Sequence, residues 1–231
     1  MADTDALKRA VAKEAVKRVK SNDVIGLGSG TTVKHFIDEL AGRVKKEGLR
    51  VLAVPTSYDA SLLAAENGVQ LTTLDEHPRL SICFDGADKV DKNHNMVKGG
   101  GGCHTREKII AAASETVCIL VDHSKFVERI AGDTPIPVEI IPLSYKSISQ
   151  KLSELGASLR LRYAGSSKMG PIIGDNGGFL GDATFPKKSE LSYLDNVLNS
   201  TPGIIEHGLF LNMADLVYVA YQDRVELLKR K

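Results

Sequence analysis

The sequence predicts an α/β fold: a Rossmann-like, mostly parallel sheet domain joined to a smaller ferredoxin-like α+β lid domain. Three observations predict it. Short apolar runs alternate with helical segments through roughly the first 130 residues, as in a parallel sheet covered on both faces. After that point the segments follow the order β-α-β-β-α-β, a split βαβ unit. No internal repeat or low-complexity linker separates the two parts, so two packed lobes are expected, with residues 1–130 and 207–231 in the larger and 131–206 in the smaller.

The elements follow in order. Leu7, Val11, Ala15 and Val19 recur at helical spacing over residues 5–20. Residues 24–27 are a short apolar run, followed by a glycine-rich turn and a helix from about Thr32. RVLAVPTS (50–57) reads as a strand and the next segment as a helix closed by Gly68. VQLTTL and LSICFDGA are further strands, residues 105–114 a helix, and TVCILVD (116–122) a strong β-branched strand. In the second part, residues 135–156 give a strand and a helix. ASLRLRYA and PIIGDNGGFLGDATF are extended, the latter with an Asp-Asn-Gly-Gly turn inside it. A helix over 189–203 and a strand over 203–211 close the unit, and ADLVYVAY (214–221) is a last strand placed to rejoin the first sheet.

Composition narrows the function. The chain has 231 residues, 30 basic and 29 acidic, for a net charge of +1. That balance argues against a nucleic-acid binder, which shows a basic excess. No stretch of about 18 apolar residues occurs, so no membrane-spanning helix is expected. The N-terminus lacks the apolar core of a secretory signal. Cys83, Cys103 and Cys118 form neither a CxxC pair nor an even framework, which fits free thiols in a reducing, cytoplasmic setting.

GLGSGTT (26–32) follows a strand and opens a helix, but it is not a dinucleotide fingerprint: position 31, where the last glycine belongs, is Thr31. No GK[ST] follows, so the Walker pattern fails too. Two readings stay open: an anion site suited to one phosphate at the helix N-terminus, or an ordinary capped turn.

FDGADKVDKNHNMVKGGGGCHTREK (84–108) is the more informative stretch. Asp85 and Asp88 stand at the carboxyl end of a buried strand, where open parallel sheets bind ligands, so their carboxylates should face the crevice. Four consecutive glycines let main chain approach a small ligand and present its N–H groups. Such a cluster is costly in chain entropy without a ligand to order it. Lys98 precedes the glycines and can reach the same crevice; Glu107 falls in the first turn of the next helix. Asp85, Asp88, Asp91 and His94 also form an oxygen-rich set, but Lys89, Lys92 and Lys98 sit among them and the EF-hand pattern is absent, so no metal is expected. Neighbouring residues at a helix start do not face each other, so Cys103 and His104 are expected to serve packing or the rim.

These motifs together resemble the type A ribose-5-phosphate isomerases over nearly the whole chain. The resemblance rests on GLGSGTT, PTSYDA (55–60), DGAD (85–88), KGGGG with TREKII (98–110), VDHSK (121–125), PVEIIP (137–142), DNG (175–177) and PGIIEHGLF near the end. The family commonly reads DGADE where this chain has Lys89, and alanines and a leucine where it has Gly102, Cys103 and His104. The resemblance implies a dimer or tetramer acting on a small sugar phosphate, with no metal or organic cofactor. It implies that Glu107 moves a proton between C2 and C1, that Asp85 and Asp88 assist ring opening and proton traffic, and that Lys98 steadies an enediolate. Ser29, Gly30, Thr31, Thr32 and Lys125 would bind substrate, with Gly86, Ala87, Gly99, Gly100 and Gly101 lining the site and Lys8 a further contact. Rival readings are a coenzyme A transferase or amino-sugar-phosphate deaminase of the same fold, a sugar-phosphate sensor without turnover, or a plain scaffold.

Overall fold

The computed structural model describes residues 4–230; residues 1–3 and 231, at the ends of the expected larger lobe, lie outside the described residues. In chain order the elements are α1 (Thr4–Ala15), β1 (Asp23–Leu27), α2 (Thr31–Glu47), β2 (Val51–Pro55), α3 (Tyr58–Glu66), β3 (Gln70–Leu71), β4 (Ile82–Asp85), β5 (Lys89–Asp91), β6 (Met96–Val97), α4 (His104–Ala112) and β7 (Val117–Asp122). There follow β8 (Phe126–Val127), β9 (Ile136–Ile140), α5 (Tyr145–Glu154), β10 (Ser158–Leu161), β11 (Phe179–Thr184), α6 (Leu191–Asn199), β12 (Ile204–His207), β13 (Leu209–Phe210), β14 (Leu216–Ala220) and β15 (Val225–Lys229). The first helix is shorter than its periodicity suggests: a 3₁₀ turn, Val16–Arg18, replaces its expected last turn.

Seven strands form the large sheet in the order β15-β14-β7-β4-β1-β2-β3. All pairings are parallel except β14 with β15, an antiparallel edge the sequence reading did not anticipate. The central strands β4 and β7 are buried along their whole length, which explains their unbroken apolar sequence. Phe36 of α2 stacks on Phe84 of β4 with ring centroids 4.3 Å apart, fixing helix to sheet. From β1 the chain runs outward to β3, then returns to place β4 on the other side of β1. The strand order therefore reverses between β1 and β4, and a crevice opens at their carboxyl ends.

A second sheet, order β10-β11-β9-β12, is antiparallel throughout, the arrangement of a ferredoxin-like βαββαβ unit. Ile136, Val138, Ile140, Ile148, Leu152 and Leu194 make its core. A third sheet of very short strands, β13-β6-β5-β8, contains the antiparallel β5–β6 pair that carries the chain from Asp85 to Lys98.

Candidate active site

The crevice holds a cavity of about 190 Å³ at the β1–β4 reversal. Its first wall is the turn after β1. Ser29, Gly30, Thr31 and Thr32 line it. Helix α2 begins there with no side-chain cap, Gly30 having φ of 93°, so its first N–H groups stay open toward the cavity. Ser29 Oγ is 2.8 Å from Thr56 Oγ1 and donates to Ser57 Oγ at 2.6 Å, which sets the turn against the end of β2. Gly28 lies so close to β4 that any Cβ there would stand 2.2 Å from Asp85 Oδ1.

The second wall is the loop after β6. Gly99, Gly100 and Gly101 line the cavity, with Gly86 and Ala87 opposite. Gly99 takes φ of 104°, and a Cβ there would press on the His104 ring at 2.7 Å. His104 is fully buried behind the loop, its Nε2 3.3 Å from the Glu206 carbonyl and its Nδ1 without a partner. Burial takes its pKa down to about 4, so the ring is neutral at pH 7. Lys125 reaches in from the turn after β7, where buried Asp122 accepts hydrogen bonds from Ser124 and shapes the turn.

The floor is ionic. Lys98 Nζ lies 3.0 Å from Asp85 Oδ2 and 3.2 Å from Glu107 Oε2, and donates to the Gly86 carbonyl. Asp85, Lys98 and Glu107 are 2 %, 4 % and 5 % exposed. Burial works against the Lys98 ammonium, but the two carboxylates outweigh it and hold its pKa above the ordinary lysine value. Burial lifts the Glu107 carboxyl to about 8; the Asp85 charge adds to the lift and the Lys98 ammonium opposes it. The helix N-terminus, which favours a carboxylate in the first turn, is outweighed here by desolvation. Glu107 Oε2 accepts no hydrogen bond although it lies beside the ammonium. The arrangement can accept a proton from a carbon acid and hold an adjacent oxyanion against a fixed cation.

The sequence-derived set thus comes together with two differences. Asp88 is exposed and lines the cavity, accepting the Gly100 N–H at 2.7 Å. Asp85 does not face the opening as expected; it lies under it, its Oδ1 taking the Ser29 and Gly86 N–H groups. Lys8, on α1, is not among the residues that line the cavity. Of the oxygen-rich set weighed for a metal, Asp91 is occupied by the Asn93 and Asn95 N–H groups and His94 Nδ1 by the Ala214 carbonyl. Among the described residues no group of three or more His, Cys, Asp and Glu is placed to hold a metal ion.

Cys103, expected in packing or at the rim, lines the cavity; burial and the Glu107 and Asp175 charges push its thiol up to about 11, so it is protonated at pH 7. Other neighbours were not foreseen. Glu139 of β9, fully buried, accepts hydrogen bonds from Thr105 Oγ1 at 2.5 Å, Asn176 Nδ2 at 3.0 Å and Gly178 N at 3.1 Å. It ties the first turn of α4, which carries Glu107, to the small sheet. Arg106 donates to Asn176 Oδ1 and the Asp175 carbonyl, and Asp175 accepts the Tyr58 N–H. A lone acid in the apolar run PVEIIP was the available signal for Glu139, since a carboxylate there must find donors.

Fold and site together define a class: an open parallel sheet with a buried acid–base cluster under a small cavity at its strand-order reversal. Comparison with known proteins narrows the class. The family model for ribose 5-phosphate isomerase A (phosphoriboisomerase A) matches residues 52–224. The ribose-5-phosphate isomerase A of Methanothermobacter thermautotrophicus is 42 % identical over 96 % of this chain and 97 % of its own. The solved ribose 5-phosphate isomerase A of Methanocaldococcus jannaschii superposes with a TM-score of 0.92 at 42 % identity, over 98 % of this chain and 100 % of that one. A D-ribose-5-phosphate isomerase solved in complex with phospho-erythronic acid gives 0.93 at 40 % identity, over 99 % and 100 %. The chain belongs to the ribose 5-phosphate isomerase A family.

Proposed function

We propose that the protein interconverts D-ribose 5-phosphate and D-ribulose 5-phosphate through an enediolate, with Glu107 as the proton-transferring base. One observation carries the reading: a buried carboxylate oxygen with no hydrogen bond stands at the floor of the cavity beside an equally buried ammonium.

The open-chain aldose binds with its phosphate against the free N–H groups at the start of α2 and the Lys125 ammonium. Glu107 takes the C2 proton. The electron pair forms the C1–C2 double bond and leaves charge on O1, which the Lys98 ammonium stabilises. Asp88, on the cavity wall, serves ring opening and the transfer of the hydroxyl proton from O2 to O1, while Asp85 beneath it holds the Lys98 ammonium in place. Glu107 then returns its proton to C1, leaving the ketone at C2. Acid–base assistance of this kind is worth about 10² to 10⁴ in rate. The rest comes from the fixed cation and from the phosphate handle, whose binding energy positions the reacting carbons. The relative bound to phospho-erythronic acid supports this reading, since that ligand carries a planar carboxylate where a bound pentose would carry its enediolate.

A dimer or tetramer in a cytoplasmic setting, acting without metal or organic cofactor, belongs to the same proposal. Conversion of ribose 5-phosphate, with and without chelator, tests it together with exchange of the C2 proton in heavy water. Turnover with exchange, unchanged by chelator, is expected. Absence of turnover, or hydride trapping of Glu107 as its coenzyme A thioester after incubation with an acyl-coenzyme A, would instead favour a binding protein or a transferase.

A further inference from the structure

The glycine loop is held from outside the cavity by one side chain of the small sheet. Arg162 follows β10, and its guanidinium forks onto Asp182 of β11, with Nε to Oδ2 at 2.8 Å and Nη2 to Oδ1 at 2.6 Å. Its remaining nitrogen, Nη1, donates to two successive loop carbonyls, Gly99 O at 2.8 Å and Gly100 O at 3.1 Å. The Asp182 hydrogen bonds keep the guanidinium charged against partial burial. A fork fixed at one edge by a carboxylate presents its other edge in a set direction.

The direction matters because the peptide unit is rigid. Among the described residues every peptide is trans, so each C=O and the N–H that follows it point opposite ways. The Gly99 carbonyl points out to Arg162, and the Gly100 N–H on the same peptide points in, to Asp88 Oδ2 at 2.7 Å. Asp88 lines the cavity, so the inward side of the loop is the substrate side. The next peptide is set the same way: the Gly100 carbonyl faces Arg162, which turns the Gly101 N–H inward. Among the described residues that N–H has no acceptor, and a Cβ built at Gly101 would meet nothing within 4 Å.

We infer that Arg162, clasped by Asp182, is a positioning residue that sets two glycine peptides so that the Gly101 N–H meets an oxygen of the bound sugar phosphate and the Gly100 N–H orients Asp88. Without the clasp a run of four glycines has too many accessible backbone states to hold a donor in place. Lysine is a poor substitute, because one ammonium cannot reproduce the fork and both carbonyl bonds.

The inference rests on the sugar-phosphate reading above, and the experiment separates the two. The Gly101 amide resonance is followed by NMR while phospho-erythronate is titrated into wild type, Arg162→Met and Arg162→Lys, with turnover measured in parallel. In wild type the amide should move saturably. In Arg162→Met the movement should vanish and kcat/KM should fall about 10- to 100-fold per folded molecule, the scale of a misplaced binding group; Arg162→Lys should recover little of either. If Arg162→Met does not fold, Asp182→Asn decides, with a weakened amide shift and about a threefold loss in kcat/KM expected from a loosened but present guanidinium. An unchanged Gly101 shift and kcat/KM in the folded variant overturns the inference, as does a loss explained entirely by a lower folded fraction. A wild type that shifts at Gly101 without isomerising would sink the reaction and leave the clasp; one that isomerises with a motionless Gly101 amide would do the reverse.

Discussion

The floor of the cavity and its walls are made on different principles. The floor is three charged side chains, each 5 % exposed or less, whose energies are set by one another. The walls are main-chain N–H groups, hydroxyls, one lysine and the exposed Asp88 carboxylate, set by turns and distant struts. The base and its cation are desolvated, which strengthens their fields and moves their pKa values; the groups that grip the anion stay open to water until it arrives. Variants on the floor should therefore alter kcat and its pH dependence, and variants of the anion-gripping wall groups should alter KM.

The largest test is Glu107→Gln, which keeps the shape and removes the base. We expect kcat to fall by about 10³ to 10⁴ with little change in KM; wild-type kcat in a folded variant would remove Glu107 from the mechanism. Next is Lys98→Met, which leaves Asp85 and Glu107 buried without their cation. Stability should drop by about 3 to 5 kcal/mol in denaturant titrations, and kcat should fall more than KM rises. The pH profile sharpens the point. The base acts as carboxylate and its pKa is raised, so wild-type kcat/KM should climb with pH through about 8. Removing the ammonium, which opposes that rise, should push the midpoint higher still.

The backing of the glycine wall gives a smaller effect, read as stability. Burial lowers His104 to about 4 and His207 to about 3, so both favour the folded state while neutral. That contribution is complete above the free histidine value of about 6.5 and is lost as pH falls toward 4 and below. For His104 alone the loss by pH 5 is about 2 kcal/mol, seen as a falling Tm that His104→Gln should blunt. The smallest effect belongs to Lys125→Ala on the open wall: KM raised about tenfold with kcat within about twofold, as for one charge-assisted phosphate contact. A dominant kcat effect there would blur the floor–wall distinction.

Much of this was legible in the sequence, for local reasons. Alternation of apolar strands and helices fixes the large sheet, and DGAD at a strand end with KGGGG and a first-turn glutamate places the floor and one wall. The failures share a cause. Strands of two or three residues, as in the β13-β6-β5-β8 sheet, are too short to carry a period. Glu139, Arg162 and Asp182 act across sequence separations of 20 to 63 residues, and nothing in a local pattern reports which turn they will meet. Asp85 was placed in the right crevice at the wrong depth, because a strand-end position gives direction along the sheet and not distance below the opening. Asp91, spaced like its catalytic neighbours, is instead consumed by the turn that follows it.

The hydrogen bond from Thr105 to Glu139 has a consequence for how the two lobes can be modified. The segment containing β9 is not an accessory that trimming would simply expose. A shortened chain without it could keep the phosphate cradle, yet the helix bearing the base would lose its moorings two residues upstream of the carboxylate. Grafting, circular permutation or loop exchange in this scaffold must carry that acid along, or the aim of the reaction goes with it.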